Sequence, residues 1–132
     1  MKYNSKEIVY SYPSKSELEI LQVLWDNGPL SVRSVNELLN KLVRNVQYSS
    51  TLKTMQIMAD KKLVIRDERQ MQHIYKPATC EAKTKEQILH RFVDTIYKGS
   101  SANLMIHLLG SKKPATDELE QIRNILSKLG KK

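Results

Sequence analysis

Apolar residues recur at helical spacing in three successive blocks, give way to two short β-type runs, and then return to helical spacing up to the C-terminus. The first block, Ser14 to Asn27, places Leu18, Leu21, Leu24 and Trp25 on one face. Ser14 suits the N-cap, Glu17 three positions on completes a capping box, and Gly28-Pro29 ends the helix. Ser31 then caps a short second helix to about Leu42, with Val32, Val35, Leu38, Leu39 and Leu42 turned inward and Arg33, Glu37 and Lys41 outward. A third helix, capped by Ser49 or Ser50 and running to about Lys62, turns Leu52, Met55 and Ala59 in and Ser50, Lys53, Thr54 and Ile57 out.

Leu63 to Arg66 and His73 to Lys76 read as strands. The polar linker between them can turn but lacks the Asn-Gly or Asp-Gly signal of a tight hairpin. Three helices followed by a hairpin is the layout of a winged helix, closed here by Pro77. Beyond Pro77 the pattern is helical throughout. Ala82 to Tyr97 carries Ile88, Leu89, Phe92, Val93 and Ile96 and ends at Gly99; Ser101 to Leu109 follows; Thr116 caps a last helix bearing Leu119, Ile122, Ile125, Leu126 and Leu129. The expected fold is mainly α with a small β-hairpin: an N-terminal tail over 1–13, a winged helix-turn-helix domain over 14–77, and a C-terminal three-helix dimerisation domain over 78–132. Three short helices make a thin core, so a second copy is the natural cover for Ile88, Phe92, Ile96, Leu104, Leu119, Ile122 and Leu126.

Composition narrows the function classes. With 40% hydrophobic and 27% charged residues, the chain is neither disordered, fibrous nor membrane-embedded in character. No apolar run approaches a membrane span, and Met1 to Pro13 has no apolar signal region, so a cytoplasmic protein without stable membrane association is expected. The single cysteine, Cys80, excludes an internal disulfide and a Cys-rich zinc site. His73, His90 and His107 lie on three different elements, none spaced with a carboxylate or with Cys80 as a metal site or catalytic set needs. No phosphate loop, serine elbow or paired-carboxylate motif is present, so neither an enzyme nor a cofactor is expected. The net charge of +8 favours an anionic partner, and its distribution is informative: Arg33 to Lys76 holds nine basic and four acidic residues, against three and four before it. The positive excess of the N-terminal half therefore sits on the helix-turn-helix and the hairpin.

At this point the chain resembles the penicillinase-repressor family of bacterial winged-helix regulators. The match is carried by Ser14-Lys15-Ser16-Glu17-Leu18-Glu19 leading to Val23-Leu24-Trp25, by Thr51-Leu52-Lys53-Thr54-Met55, by the pair Lys61-Lys62, and by Tyr75. Val93 to Gly99 and Asp117 to Leu126 are the most specific stretches, because generic winged helices lack them. The chain departs from the family in having Leu63 where glycine is usual and Met58-Ala59 where arginine and leucine are common. It also lacks the cysteine-rich ending of the copper-responsive branch. The resemblance implies a homodimeric transcriptional repressor of double-stranded operator DNA. It further implies relief by proteolysis in the C-terminal domain, set off by a membrane sensor-protease. Counting back without a gap from Arg123 to Leu126 puts the family's scissile bond between His107 and Leu108, where characterised members have asparagine and phenylalanine. Simple packing of both residues in the helical domain remains the alternative.

On that reading Ser50, Thr51, Lys53 and Thr54 are the third-helix residues expected at DNA, the lysine suited to guanine acceptors or phosphate. Tyr48 either bonds a phosphate or staples the helix start. Arg69, Gln70 and His73 either track the DNA backbone or minor groove or form an ordinary charged turn. Trp25 reads as core and Cys80 as a bystander. The competing function is a winged-helix protein-interaction module with a basic face and no operator.

Overall fold

The computed structural model describes residues 12–130. Of the expected N-terminal tail only Tyr12 and Pro13 fall among them. The elements are α1 (Lys15–Asn27), β1 (Leu30–Ser31), α2 (Val32–Leu42), α3 (Tyr48–Asp60), β2 (Val64–Asp67), β3 (Ile74–Pro77), α4 (Glu81–Ile96), α5 (Ser101–Ser111) and α6 (Thr116–Leu129).

α1 starts as its sequence requires. The Glu17 amide donates to Ser14 Oγ at 3.2 Å and the Ser14 amide to Glu17 Oε1 at 2.8 Å, so two otherwise unpaired helix-start donors are satisfied reciprocally. Gly28 ends the helix at φ 85°, a left-handed conformation that glycine adopts without steric cost. Ser31 caps α2 through the Ser34 amide. α3 starts earlier than Ser49 or Ser50 would place it: Gln47 is the N-cap and makes no side-chain cap bond. α6 likewise takes Ala115, not Thr116, as its N-cap, the Ala115 amide donating to Glu118 Oε1 at 3.2 Å.

The sheet is antiparallel in the order β1-β3-β2. Its two-residue β1 was not foreseen; Leu30 pairs with Tyr75 and Ser31 with Ile74. The hairpin strands each sit one residue later than expected, and Arg66 faces Tyr75 across them. Tyr75 is thus the middle of the sheet, and its ring is buried in a core with Leu21, Leu24, Val35, Met55 and Met58. Leu42, expected inside, is 65% exposed because α2 ends there and the chain turns away.

The chain forms two compact units that part between Ile88 and Leu89, inside α4. Residues 78–88, expected in the C-terminal domain, make their contacts within the first of these units. The Trp25 indole donates to the Thr79 carbonyl at 3.0 Å, the Gln22 amide to Glu81 at 3.2 Å, and the Tyr12 hydroxyl to the Ile88 carbonyl at 3.2 Å. Ile88, placed by its stripe in the dimerisation set, lies on this side of the division. Among its described residues the second unit has one buried hydrophobic residue, Val93; α5 and α6 have none. No helix among the described residues is long and apolar enough to cross a membrane.

Candidate nucleic-acid interface

The entry of α3 is fixed by amide side chains from α2. Asn36 Nδ2 donates to the Val46 carbonyl and to Thr51 Oγ1, both at 2.9 Å. Asn40 donates to the same Val46 carbonyl at 3.0 Å, and its Oδ1 accepts the Val46 amide at 2.8 Å. The turn between α2 and α3 is therefore held by side chains in place of secondary structure, which satisfy the amide and carbonyl of the half-buried Val46. At the far end Lys61 Nζ lies 2.9 Å from Glu17 Oε2, tying the last turn of α3 to the first turn of α1. Glu17 is 3% exposed, so the capping carboxylate also serves as an ion-pair partner. The chain then leaves α3 through Lys62 at φ 64°. The left-handed residue is thus the lysine before Leu63, and Leu63 itself is buried.

This framework settles which faces of α3 reach solvent. Ser50 and Lys53 are exposed, together with Tyr48, Ser49, Gln56 and Ile57. Thr54 is half-buried and its hydroxyl donates to the Ser50 carbonyl at 2.9 Å, leaving only its lone pairs for a ligand. Thr51 is corrected: at 1% exposure, with its oxygen accepting from Asn36, it is a core residue and cannot meet DNA. Tyr48 carries the Arg33 guanidinium 5.8 Å above its ring, a cation–π pair that brings a second basic group to the start of α3.

The hairpin is braced by its own charges. Arg69 Nη2 and Nε reach Asp67 at 2.7 and 3.0 Å, and the Arg69 amide also donates to Asp67 Oδ1 at 3.0 Å. These bonds, the Arg69 guanidinium first, hold the Asp67 carboxyl down at about 2. Arg66 is kept more firmly protonated by the Tyr75 hydroxyl and then by Glu68, 2.8 Å away. Much of the Arg69 charge is therefore spent on shaping the wing. Gln70, Met71, Gln72 and His73 at its tip are exposed. A groove of about 200 Å³ separates wing from helix, with Tyr48, Leu52 and Gln56 on one wall and Met71, Gln72 and His73 on the other.

The structure thus gathers Tyr48 and His73 at one groove, sets Ser50 and Lys53 on the adjoining helix face, and leaves Arg69 and Gln70 at the wing tip. Arg33, Gln56, Met71 and Gln72 join them without having been singled out in the sequence. Gln56 was readable as one turn beyond Lys53; Arg33 was not, because its partner lies on another helix. Among the described residues no three His, Cys, Asp or Glu side chains gather as a metal site would require.

In the second unit, Phe92, Ile96 and Leu126 of the expected dimer set are exposed, and Leu104, Leu119 and Ile122 are half-buried. Met105, Ile106, Leu108, Ile125 and Leu129 add further exposed apolar surface. Tyr97 packs against the Phe92 ring at 5.8 Å and its hydroxyl meets His107 Nδ1 at 2.8 Å. His107 and Leu108 lie within α5, both exposed.

The sequence profile of the family described as penicillinase repressor matches residues 13–128. Among curated proteins, the chain is 24% identical over 115 residues to a penicillinase repressor of Bacillus licheniformis, covering 86% of this chain and 88% of that protein. It is 25% identical over 119 residues to the methicillin resistance regulatory protein MecI of Staphylococcus aureus, covering 87% and 93%. The same identity and coverage hold for the protein of that name from Mammaliicoccus sciuri.

Proposed function

This chain belongs to the penicillinase repressor family, a family of transcriptional repressors and not of enzymes, and on that premise we propose that it represses by binding an inverted-repeat operator as a homodimer. The observation that carries the reading is the exposed face of α3, with Ser50, Lys53 and Gln56 set beside a charge-braced wing on the most basic stretch of the N-terminal half. A helix so presented fits the major groove, where lysine reaches guanine acceptors or a phosphate and glutamine pairs with adenine.

The second copy is needed because the second unit has almost no core of its own. Exposed Phe92, Ile96, Leu126 and Leu129 offer the surface for it. Two copies would present two recognition helices about one helical turn of DNA, or a small multiple, apart. Relief by a cut between His107 and Leu108, made by a membrane sensor-protease in the cytoplasm, suits a helix with no buried residue, since opening it costs little. The cut would remove α6 from the DNA-binding unit. A dimer that falls apart forfeits avidity on the order of a hundredfold to ten-thousandfold.

The test is selection of bound fragments from the source genome by the purified full-length protein. An inverted repeat is expected, with Lys53→Ala losing either about one unit of salt slope or roughly 1–3 kcal/mol of discrimination at one base pair. Sequence-indifferent, steeply salt-dependent binding to any polyanion would overturn the repressor reading in favour of a basic interaction module. For the dimer, Leu129→Glu, at a position 76% exposed within one chain, is expected to shift sedimentation from dimer to monomer. An unchanged dimer would place the interface elsewhere.

A further inference from the structure

We propose that Met71, at the tip of the wing, is an apolar wedge that enters the minor groove beside the operator core and opens one base step; this rests on the DNA-binding reading above. Met71 is fully exposed, the most exposed large hydrophobic side chain among the described residues. It interrupts a run that is otherwise polar, between Gln70 and Gln72. Nothing in the fold requires it to be apolar. A single exposed apolar side chain is ordinary in itself; what singles out Met71 is that it stands at the wing tip, on the wall of the groove beside α3, where a partner seated on that helix would meet it.

The surroundings specify the partner. Met71 lies on the wall of the groove that α3 shares with the wing, opposite Tyr48, Leu52 and Gln56. A DNA duplex seated on the exposed face of α3 therefore passes the wing tip. The Asp67–Arg69 clasp at 2.7 Å and the Arg66–Glu68 pair at 2.8 Å stiffen the hairpin just before the tip. A wedge needs such a mount, since unstacking a base step is work done against the side chain. Gln70 and Gln72 flank it with both donors and acceptors, suited to the thymine O2 and adenine N3 acceptors of a minor-groove floor. Methionine is among the residues that intercalate from the minor groove and kink the duplex toward the major groove. Its unbranched, polarisable chain fits between bases without a fixed shape. The mechanism then reads sequence by deformability. Pyrimidine–purine steps such as TA and CA open easily, whereas A-tracts resist, so the operator gains a preference at positions touched by no specific hydrogen bond.

The experiment is parallel selection from a random-sequence duplex library with the full-length protein and its Met71→Ala and Met71→Gln variants, followed by bend measurement on the winning duplex. The wild type is expected to enrich TA or CA steps at a fixed distance outside the major-groove core and to bend the duplex. Both variants, altered only at a solvent-exposed tip, are expected to recover the same core without that flank preference. Their bend should be smaller, their affinity lower by about three- to thirtyfold, and their salt slope unchanged. A core enriched by the wild type with no preferred flanking step, or with a flank that survives in both variants, overturns the wedge and leaves the repressor reading intact. Failure of the wild type to enrich any core overturns both.

Discussion

Asn36→Ala tests whether side-chain hydrogen bonds in the turn position α3. The substitution removes two bonds of 2.9 Å, one to the Val46 carbonyl and one to Thr51 Oγ1. The Val46 carbonyl keeps the Asn40 amide at 3.0 Å, whereas the Thr51 oxygen, in a residue 1% exposed, loses the donor that reaches it from α2. A hydrogen bond exchanged against water is worth about 1 kcal/mol, and a buried polar atom left short of a partner costs about 1–3 kcal/mol, so a loss of about 2–3 kcal/mol is expected. Thr51→Val replaces the hydroxyl by a methyl of similar size, leaves Asn36 its Val46 bond, and should cost about 1 kcal/mol. The assay is urea unfolding followed by Trp25 emission. Trp25 is the chain's one tryptophan and bonds to Thr79 within the first unit, so its signal reports that unit. The double variant closes a cycle in which the two residues should be coupled by about 1 kcal/mol. Losses below about 0.5 kcal/mol, or strict additivity, would refute the claim that this contact holds the turn.

Lys61→Ala leaves the nearly buried Glu17 carboxylate with only its capping role; since Lys61 is itself partly exposed, a loss of about 2 kcal/mol is expected in urea unfolding, and no loss would show that the pair is solvated. Lys62→Gly removes a left-handed lysine at φ 64° and should raise stability by about 0.5–1 kcal/mol after the greater freedom of glycine in the unfolded chain is counted; a lower unfolding midpoint would refute the assigned backbone. Asp67 has a native pKa held below its unfolded one, so its contribution to stability is present at neutral pH and is lost as pH falls from about 4 through about 2. Its carboxyl carbon should titrate near 2 by NMR and move up toward the ordinary aspartate range in Arg69→Ala; an unmoved midpoint would assign the shift to another partner.

What could be read from the sequence was local in origin. The capping box of Ser14 and Glu17, the Ser31 cap, and the glycines that end α1 and α4 work through neighbours a few residues away, and each stands where it was expected. What could not be read depends on partners distant along the chain. β1 is a strand only because Leu30 meets Tyr75, 45 positions further along the chain. Thr51 looked like a polar surface residue and is core because Asn36 reaches it across the turn. The division inside α4 follows from Trp25, Gln22 and Tyr12 gripping residues 79 to 88. Periodicity carried no trace of these contacts. The exposed face of α3 was legible at Ser50 and Lys53, since opposite faces of an amphipathic helix follow from the apolar stripe alone. Arg33 and the wing-tip Met71 were not, because their surroundings are made by tertiary folding.

If a second copy completes the second unit, as proposed above, the near absence of a core there makes abundance a structural variable. A protomer that completes itself only on a second copy has a stability set by mass action. On that reading, halving a scarce chain would leave about a quarter of the dimers, and the remaining copies would carry exposed apolar helices that quality-control proteases degrade first. Loss of repressor would then feed on itself. A gene under such control would switch over a narrower range of repressor amount than one held by a protein whose every domain folds alone.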